Sequence, residues 1–272
     1  MKANKRKTAL PAESRRDDAE LLAQLKRAGD PGRARHLMRF FRTGSGEYGE
    51  GDRFLGLPVP ATRALTKPFF ERIGLDGCRR LLAEPWHEAR LAALLVMVRR
   101  AERAASTGDA VRLDEIEACY DEQLDRANNW DLVDLSAPCL MAACWFGRGD
   151  KPMAIRRRLD GWAGSGHLWR ERAAVVATNA LIRRGRLEET FRLAARFRDH
   201  PHDLIHKACG WMLREAGKRD IEALRAFLEK WAPELPRTAL RYAIERMAPD
   251  ERKRWLAVPR KDKSSSRKRR RP

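Results

Sequence analysis

The run "NNWDLVDLSAP" places Trp130 four residues before Asp134, so on a helix the indole and the carboxylate project from one face, one turn apart. A second indole, Trp211 in "KACGWMLRE", stands four residues after Lys207. A carboxylate flanked by electron-rich rings can hold a cationic, sugar-like species, because the negative charge and the ring faces act on the same positive centre. Taken singly, a tryptophan at helical spacing is an ordinary core residue. The chemistry needs the conjunction.

A second stretch with chemical potential is "RTGSGEYGEGD", which holds Gly44-x-Gly46-x-x-Gly49. That spacing cradles a pyrophosphate only where it follows a strand and opens a helix. Here it follows the helical "RHLMRFF" and precedes "RFLGLPVP", whose prolines should delay the next helix. Glu47, Glu50 and Asp52 would also repel a phosphate. The loop is therefore expected to be a flexible connector between the first helices and not a nucleotide site.

The remaining reactive residues form no recognisable centre. His36, His87, His167, His200, His202 and His206 read as surface or capping residues; His202 and His206 are four apart, but no third ligand falls at a metal-binding spacing. Five scattered cysteines without a C-x-x-C pair fit reduced thiols in a cytoplasm. There is no Walker loop, no apolar run of signal-peptide length and no membrane span. No metal, cofactor or membrane is expected, and the chain is expected to act as a cytoplasmic monomer.

The elements that must position Trp130, Asp134 and Trp211 are helices. Segments such as "EARLAALLVMVRRAER", "WRERAAVVATNALIRRG" and "LIHKACGWMLREAGK" repeat apolar residues at three and four, and no alternating strand pattern occurs. The chain is expected to be all-α. Stacking the later segments aligns Arg90, Asp134, Arg172 and Lys207 at intervals of 44, 38 and 35 residues, with Arg237 or Arg241 continuing the series. Periods of that size belong to two-helix repeats stacked in a solenoid, where equivalent positions line one face.

Charge points to the partner. The net charge is +19; residues 1–16 carry +5 and residues 260–272 carry +7, and subtracting both leaves +7 for the body. Three parts are expected: a disordered basic arm at 1–16, one HEAT-like repeat domain at 17–258 and a disordered basic tail at 259–272. A curved array with a basic concave face suits duplex DNA, whose phosphates the cations would neutralise.

The segments "FFRTGSGEYGEGDRFLGLPVPATR", "NNWDLVDLSAP", "LWRERAAVV", "KACGWMLRE" and "PRTALRYAIERM" resemble the bacterial DNA alkylation repair family of AlkD type, DNA glycosylases built from HEAT-like repeats. The resemblance runs from about Arg33 to Met247 and departs at Asn129, where relatives can carry an aromatic. It implies that Asp134 is the catalytic carboxylate, that Trp130 and Trp211 contact the lesion deoxyribose, and that Arg172 contacts the nearby backbone. Arg90, Lys207, Arg214, Arg237 and Arg241 are the expected DNA-binding cations. The implied activity is monofunctional hydrolysis of the glycosidic bond of cationic purines, N3-methyladenine and N7-methylguanine, in duplex DNA without base flipping, as a step of base excision repair. The competing readings are a non-catalytic repeat scaffold that grips DNA or RNA and a protein-binding solenoid.

Overall fold

The computed structural model describes residues 14–261. The basic arms expected at 1–16 and 259–272 lie outside the described residues, apart from 14–16 and 259–261. Among the described residues there are fourteen α-helices and no strand, as the apolar periodicity predicts.

The described residues fall into two compact units. One runs to Ser136 and takes in Ala143–Asp150; the other holds Ala137–Ala142 and Lys151 onward. The 17–258 repeat domain expected from the sequence spans both. The first unit contains α1 (Ser14–Ala28), α2 (Pro31–Phe40), α3 (Val59–Thr66), α4 (Leu75–Ala83), α5 (His87–Thr107), α6 (Ala110–Gln123) and the two ends of α7 (Trp130–Gly147). The second contains the middle of α7, then α8 (Pro152–Ala163), α9 (Leu168–Ile182), α10 (Glu188–Arg196), α11 (Asp203–Gly217), α12 (Ile221–Trp231), α13 (Arg237–Ala243) and α14 (Pro249–Ala257).

The repeat register is visible in the helix starts. Arg90 is the fourth residue of α5, while Asp134, Arg172, Lys207 and Arg241 are each the fifth residue of α7, α9, α11 and α13. The series thus falls near the start of every second helix, and Arg241 continues it, since Arg237 opens α13. Within the first unit α5 packs on α3, α4 and α6; within the second, α9 packs on α8, α10 and α11, and α11 on α12 and α13. Helices of this kind need apolar or small residues on nearly every side. Leu91–Met97 in α5 and Ala173–Thr178 in α9 are accordingly buried without interruption.

The prolines after the glycine-rich loop act differently from expectation. Pro58 is the N-cap of α3 and Pro60 lies in its first turn, so they start the helix instead of delaying it. A fixed φ near the helical value and a missing N–H cost nothing at a helix start.

Candidate nucleic-acid site

In the first unit the start of α7 is the best-defined candidate. Of the two asparagines before the helix, Asn129 is the cap: its side-chain oxygen accepts from the Trp130 N–H at 2.9 Å. The half-buried Trp130 ring stacks on Phe41 with centroids 5.1 Å apart and meets Phe40 edge-on at 6.2 Å. Phe41 in turn stacks on Phe54 at 5.0 Å, and Phe54 on His87 at 4.3 Å. Trp130 is therefore held from behind by an aromatic column while part of its surface stays open to solvent. Asp134 follows one turn later and is half-buried. Its charge reaches the buried Tyr120: burial pushes that phenol above its ordinary value, the Ser136 hydrogen bond opposes this, and Asp134 adds to it. The helix runs on through Pro138, which has no N–H to give the Asp134 carbonyl.

Behind this surface lies a buried polar cluster. His87, the first residue of α5, points Nδ1 at Asp52 Oδ2 (2.8 Å) and Nε2 at Asp131 Oδ2 (2.9 Å). Arg90 donates to the other oxygen of Asp52, and the Asn129 amide donates to Asp52 Oδ2 at 3.1 Å. All five side chains are buried. Ionised carboxylates only accept hydrogen bonds, so a ring with a carboxylate at each nitrogen is satisfied only as the imidazolium, donating from both. Burial drives the His87 pKa down, but the charge and hydrogen bond of Asp131, and then those of Asp52, outweigh it and hold the value at about 9. With Arg90 also charged, two cations face two anions and the cluster is neutral. The sequence suggests a surface or capping role for His87; the structure buries it because two carboxylates accompany it.

The glycine-rich loop supplies one of those carboxylates. Glu47 accepts from the Gly44 N–H at 3.0 Å and Glu50 from the Gly46 N–H at 2.9 Å, which folds the loop into successive turns in place of a slack connector. A Cβ on Gly49 would lie 2.5 Å from the Phe41 carbonyl oxygen, so glycine is required where the chain doubles back. The loop ends by delivering Asp52 to the cluster. Asp52 is thus a buried ion-pair partner and repels nothing outside. Next to His87, the buried Glu88 carboxylate accepts from three successive N–H groups, Leu55, Gly56 and Leu57, at 2.8–3.0 Å. The segment after the loop is pinned to the start of α5.

The other expected site residues divide into buried and accessible. Arg90, expected in the DNA-binding series, is buried and bound to Asp52. In the second unit Arg172 is also buried, and its Nη1 donates to the Leu204 carbonyl at 2.5 Å. Both fix neighbouring segments of their own units. Trp211 is half-buried on α11. It follows Gly210, where a Cβ would lie 2.5 Å from the Ala239 carbonyl oxygen, so the absent side chain lets α13 approach α11 directly. Lys207 pairs with Asp203 at 3.0 Å. Arg214 pairs with Glu215 and Glu245, and Arg237 donates to the Val258 carbonyl at 2.7 Å. Arg241 is exposed and forms no ion pair among the described residues. His202 does cap α11, its Nδ1 accepting from the Leu204 N–H at 3.1 Å.

Sequence inspection misses Asp52, His87, Glu88 and Asp131 as a group. A signal exists, since "WHEAR" puts three ionisable residues directly before the apolar run Leu91–Val98. Their partners lie 31–44 residues away, a pairing that helical periodicity does not reveal.

The profile of the family described as DNA alkylation repair enzyme matches residues 21–247. Among curated proteins none matches. Among solved structures, the chain is similar to a predicted DNA alkylation repair enzyme from Enterococcus faecalis, with a TM-score of 0.61 and 15% identity over 81% of this chain and 97% of that one. At that identity the likeness concerns the fold. The family profile, which takes in both compact units and every candidate residue from Trp130 to Arg241, settles the assignment: the chain belongs to the DNA alkylation repair enzyme family.

Proposed function

We propose that this DNA repair protein is a monofunctional glycosylase that releases cationic alkylated purines, N3-methyladenine and N7-methylguanine, from duplex DNA. The observation that carries the proposal is the pairing on α7 of a solvent-reachable carboxylate, Asp134, with an indole one turn earlier whose ring is braced from behind.

A purine alkylated at N3 or N7 already bears a positive charge, so it departs as a neutral base without a general acid. What remains is to stabilise the positive charge that develops on the sugar and to admit a water. Asp134 opposes that charge and orients the water; Trp130 offers a ring face to the same centre. At an effective dielectric near 20, a charge pair about 4 Å apart is worth roughly 4 kcal/mol, on the order of a thousandfold in rate. That suffices for a good leaving group and not for an unmodified base. Selectivity then needs no pocket and no base flipping.

From the second unit the proposal takes Trp211 as a further aromatic face for DNA, and Lys207, Arg214, Arg237 and Arg241 as contacts to phosphates. Arg90 and Arg172 are retained as buried struts of the helices that carry the series. On this reading the reaction ends at hydrolysis, and an abasic site is the product.

The test is release of free base from duplexes containing N7-methylguanine or N3-methyladenine, against unmodified duplex and duplex containing uracil. Release from the two cationic lesions alone supports the proposal. Binding to all four duplexes with no release makes the protein a DNA-gripping scaffold.

A further inference from the structure

The outer face of α2 carries arginines that form no ion pair among the described residues, with the helix-capping Asp30 within electrostatic reach of Arg33 and Arg35. Helix α2, "PGRARHLMRF", contains no acid. Its inner face is Ala34, Leu37, Met38 and the following Phe41, which pack in one apolar cluster with Phe54 and Trp130. The opposite face presents Arg35 and Arg39, four residues apart, with Arg33, His36 and Phe40 beside them, and the exposed Arg42 follows in the turn after the helix. Arg35, Arg39 and Arg42 form no ion pair among the described residues. Some arginines elsewhere on the first unit do find acids, Arg72 with Asp17 and Glu20, Arg79 with Asp76 and Glu122, Arg80 with Asp18, while Arg27, Arg53, Arg63 and Arg126 likewise form no ion pair among the described residues.

The acids nearest to α2 are otherwise engaged. Asp30 accepts from the Gly32 and Arg33 N–H groups at the helix start, Glu47 and Glu50 fold the glycine-rich loop, and Asp52 is buried. Between α2 and that loop runs a groove of about 610 Å³ lined by Arg35, Met38, Arg39, Thr43, Gly44 and Glu47. Phe40, 59% exposed, stands beside Arg39 in sequence and touches the Trp130 ring edge-on. Arg39 is thus the sequence neighbour of a ring in contact with the residue that the proposed chemistry uses.

We infer that the outer face of α2 and its groove dock the phosphate backbone of duplex DNA, with Arg35 and Arg39 each meeting a phosphate next to the nucleotide presented to Trp130. The inference rests on the proposed action on duplex DNA. Unpaired guanidiniums at helical spacing fit a polyanion with regularly spaced charges, and each phosphate they neutralise releases counterions. Retaining like charges at Arg35 and Arg39, one turn apart, costs self-repulsion that a bound polyanion removes.

The experiment is a salt titration of binding to undamaged duplex DNA by the full chain, comparing wild type, the double variant Arg35→Gln/Arg39→Gln and the charge-retaining Arg35→Lys/Arg39→Lys. Because the Gln variant neutralises two fewer phosphates, the slope of log Kd against log salt should fall by about 1.8, and affinity should weaken by roughly tenfold or more. The Lys variant should recover the slope. All three should share one melting temperature, because neither side chain has an ion-pair partner to lose. Wild-type slope and affinity in the Gln variant would overturn the inference while leaving the proposed function standing. A Gln variant with a reduced slope, in a protein that releases no base, would keep the docking surface and remove the glycosylase. No duplex binding by the wild type would remove both.

Discussion

His87 Nδ1 lies 2.8 Å from Asp52 Oδ2, joining the first residue of α5 to the last residue of the glycine-rich loop. With Asp131 on the other ring nitrogen, the same imidazolium reaches the first turn of α7. One buried side chain thereby fixes the residues on either side of Trp130, since Asn129 also donates to Asp52.

Stability should depend on pH through this histidine. Its folded pKa of about 9 lies above the ordinary value near 6.5 that it regains on unfolding. The stabilisation is complete below about pH 6.5 and is lost as pH rises through about 9, a change on the order of 3 kcal/mol. The groups facing His87 are Asp52, Asp131 and the Asp52-bound Arg90, with Phe54 stacked on the ring. Urea denaturation of wild type between these pH values should show the decline, and His87→Gln should abolish the slope. Parallel pH profiles for the two proteins would show that folding does not raise the histidine's pKa.

Removing one anion should be costly. Asp52→Asn leaves Arg90 and His87 with too little negative charge in a buried setting, and losing one partner of a buried pair costs about 3–5 kcal/mol. Denaturant midpoints measure it. A loss below about 1 kcal/mol would mean that the cluster relaxes or admits water.

Gly210→Ala should destabilise the second unit by about 1–3 kcal/mol, because the new methyl meets the Ala239 carbonyl oxygen and the Tyr242 Cβ, each at 2.5 Å. Thermal unfolding reads the change. An unaltered melting temperature would show that α13 can shift without cost.

Two arginines of the aligned series should separate cleanly. Arg241→Gln removes an exposed charge without an ion-pair partner among the described residues, so it should lower the salt slope of DNA binding by about 0.9 with no loss of stability. Arg90→Gln removes a buried partner of Asp52, so it should lower stability and leave the slope alone. The opposite pattern would contradict their placement.

The all-α class, the two-helix repeat and the register of Asp134 and Lys207 are legible in the sequence, because 3.6-residue periodicity and a repeated helix start are local signals, whereas the choice of Arg241 over Arg237 needs the start of α13. The burial of Arg90 and Arg172 is not. An arginine near a helix start looks the same whether it faces solvent or a distant acceptor, and the decisive partners, Asp52 and Leu204, lie 38 and 32 residues away. The glycine-rich loop misleads for a related reason. Its glycines suggest slack, whereas Gly49 is required by a close backbone approach and the loop's acids fold back on its own amides.

Asp134→Asn tests the central claim most directly, by single-turnover release of N7-methylguanine from duplex DNA at saturating protein, with affinity for undamaged duplex measured alongside. The substitution keeps the side chain's shape and removes its charge. Release should slow by about a thousandfold, the factor that roughly 4 kcal/mol of charge stabilisation represents, while binding to undamaged duplex persists or tightens. Release at the wild-type rate from Asp134→Asn would contradict the assignment of this carboxylate to the chemistry.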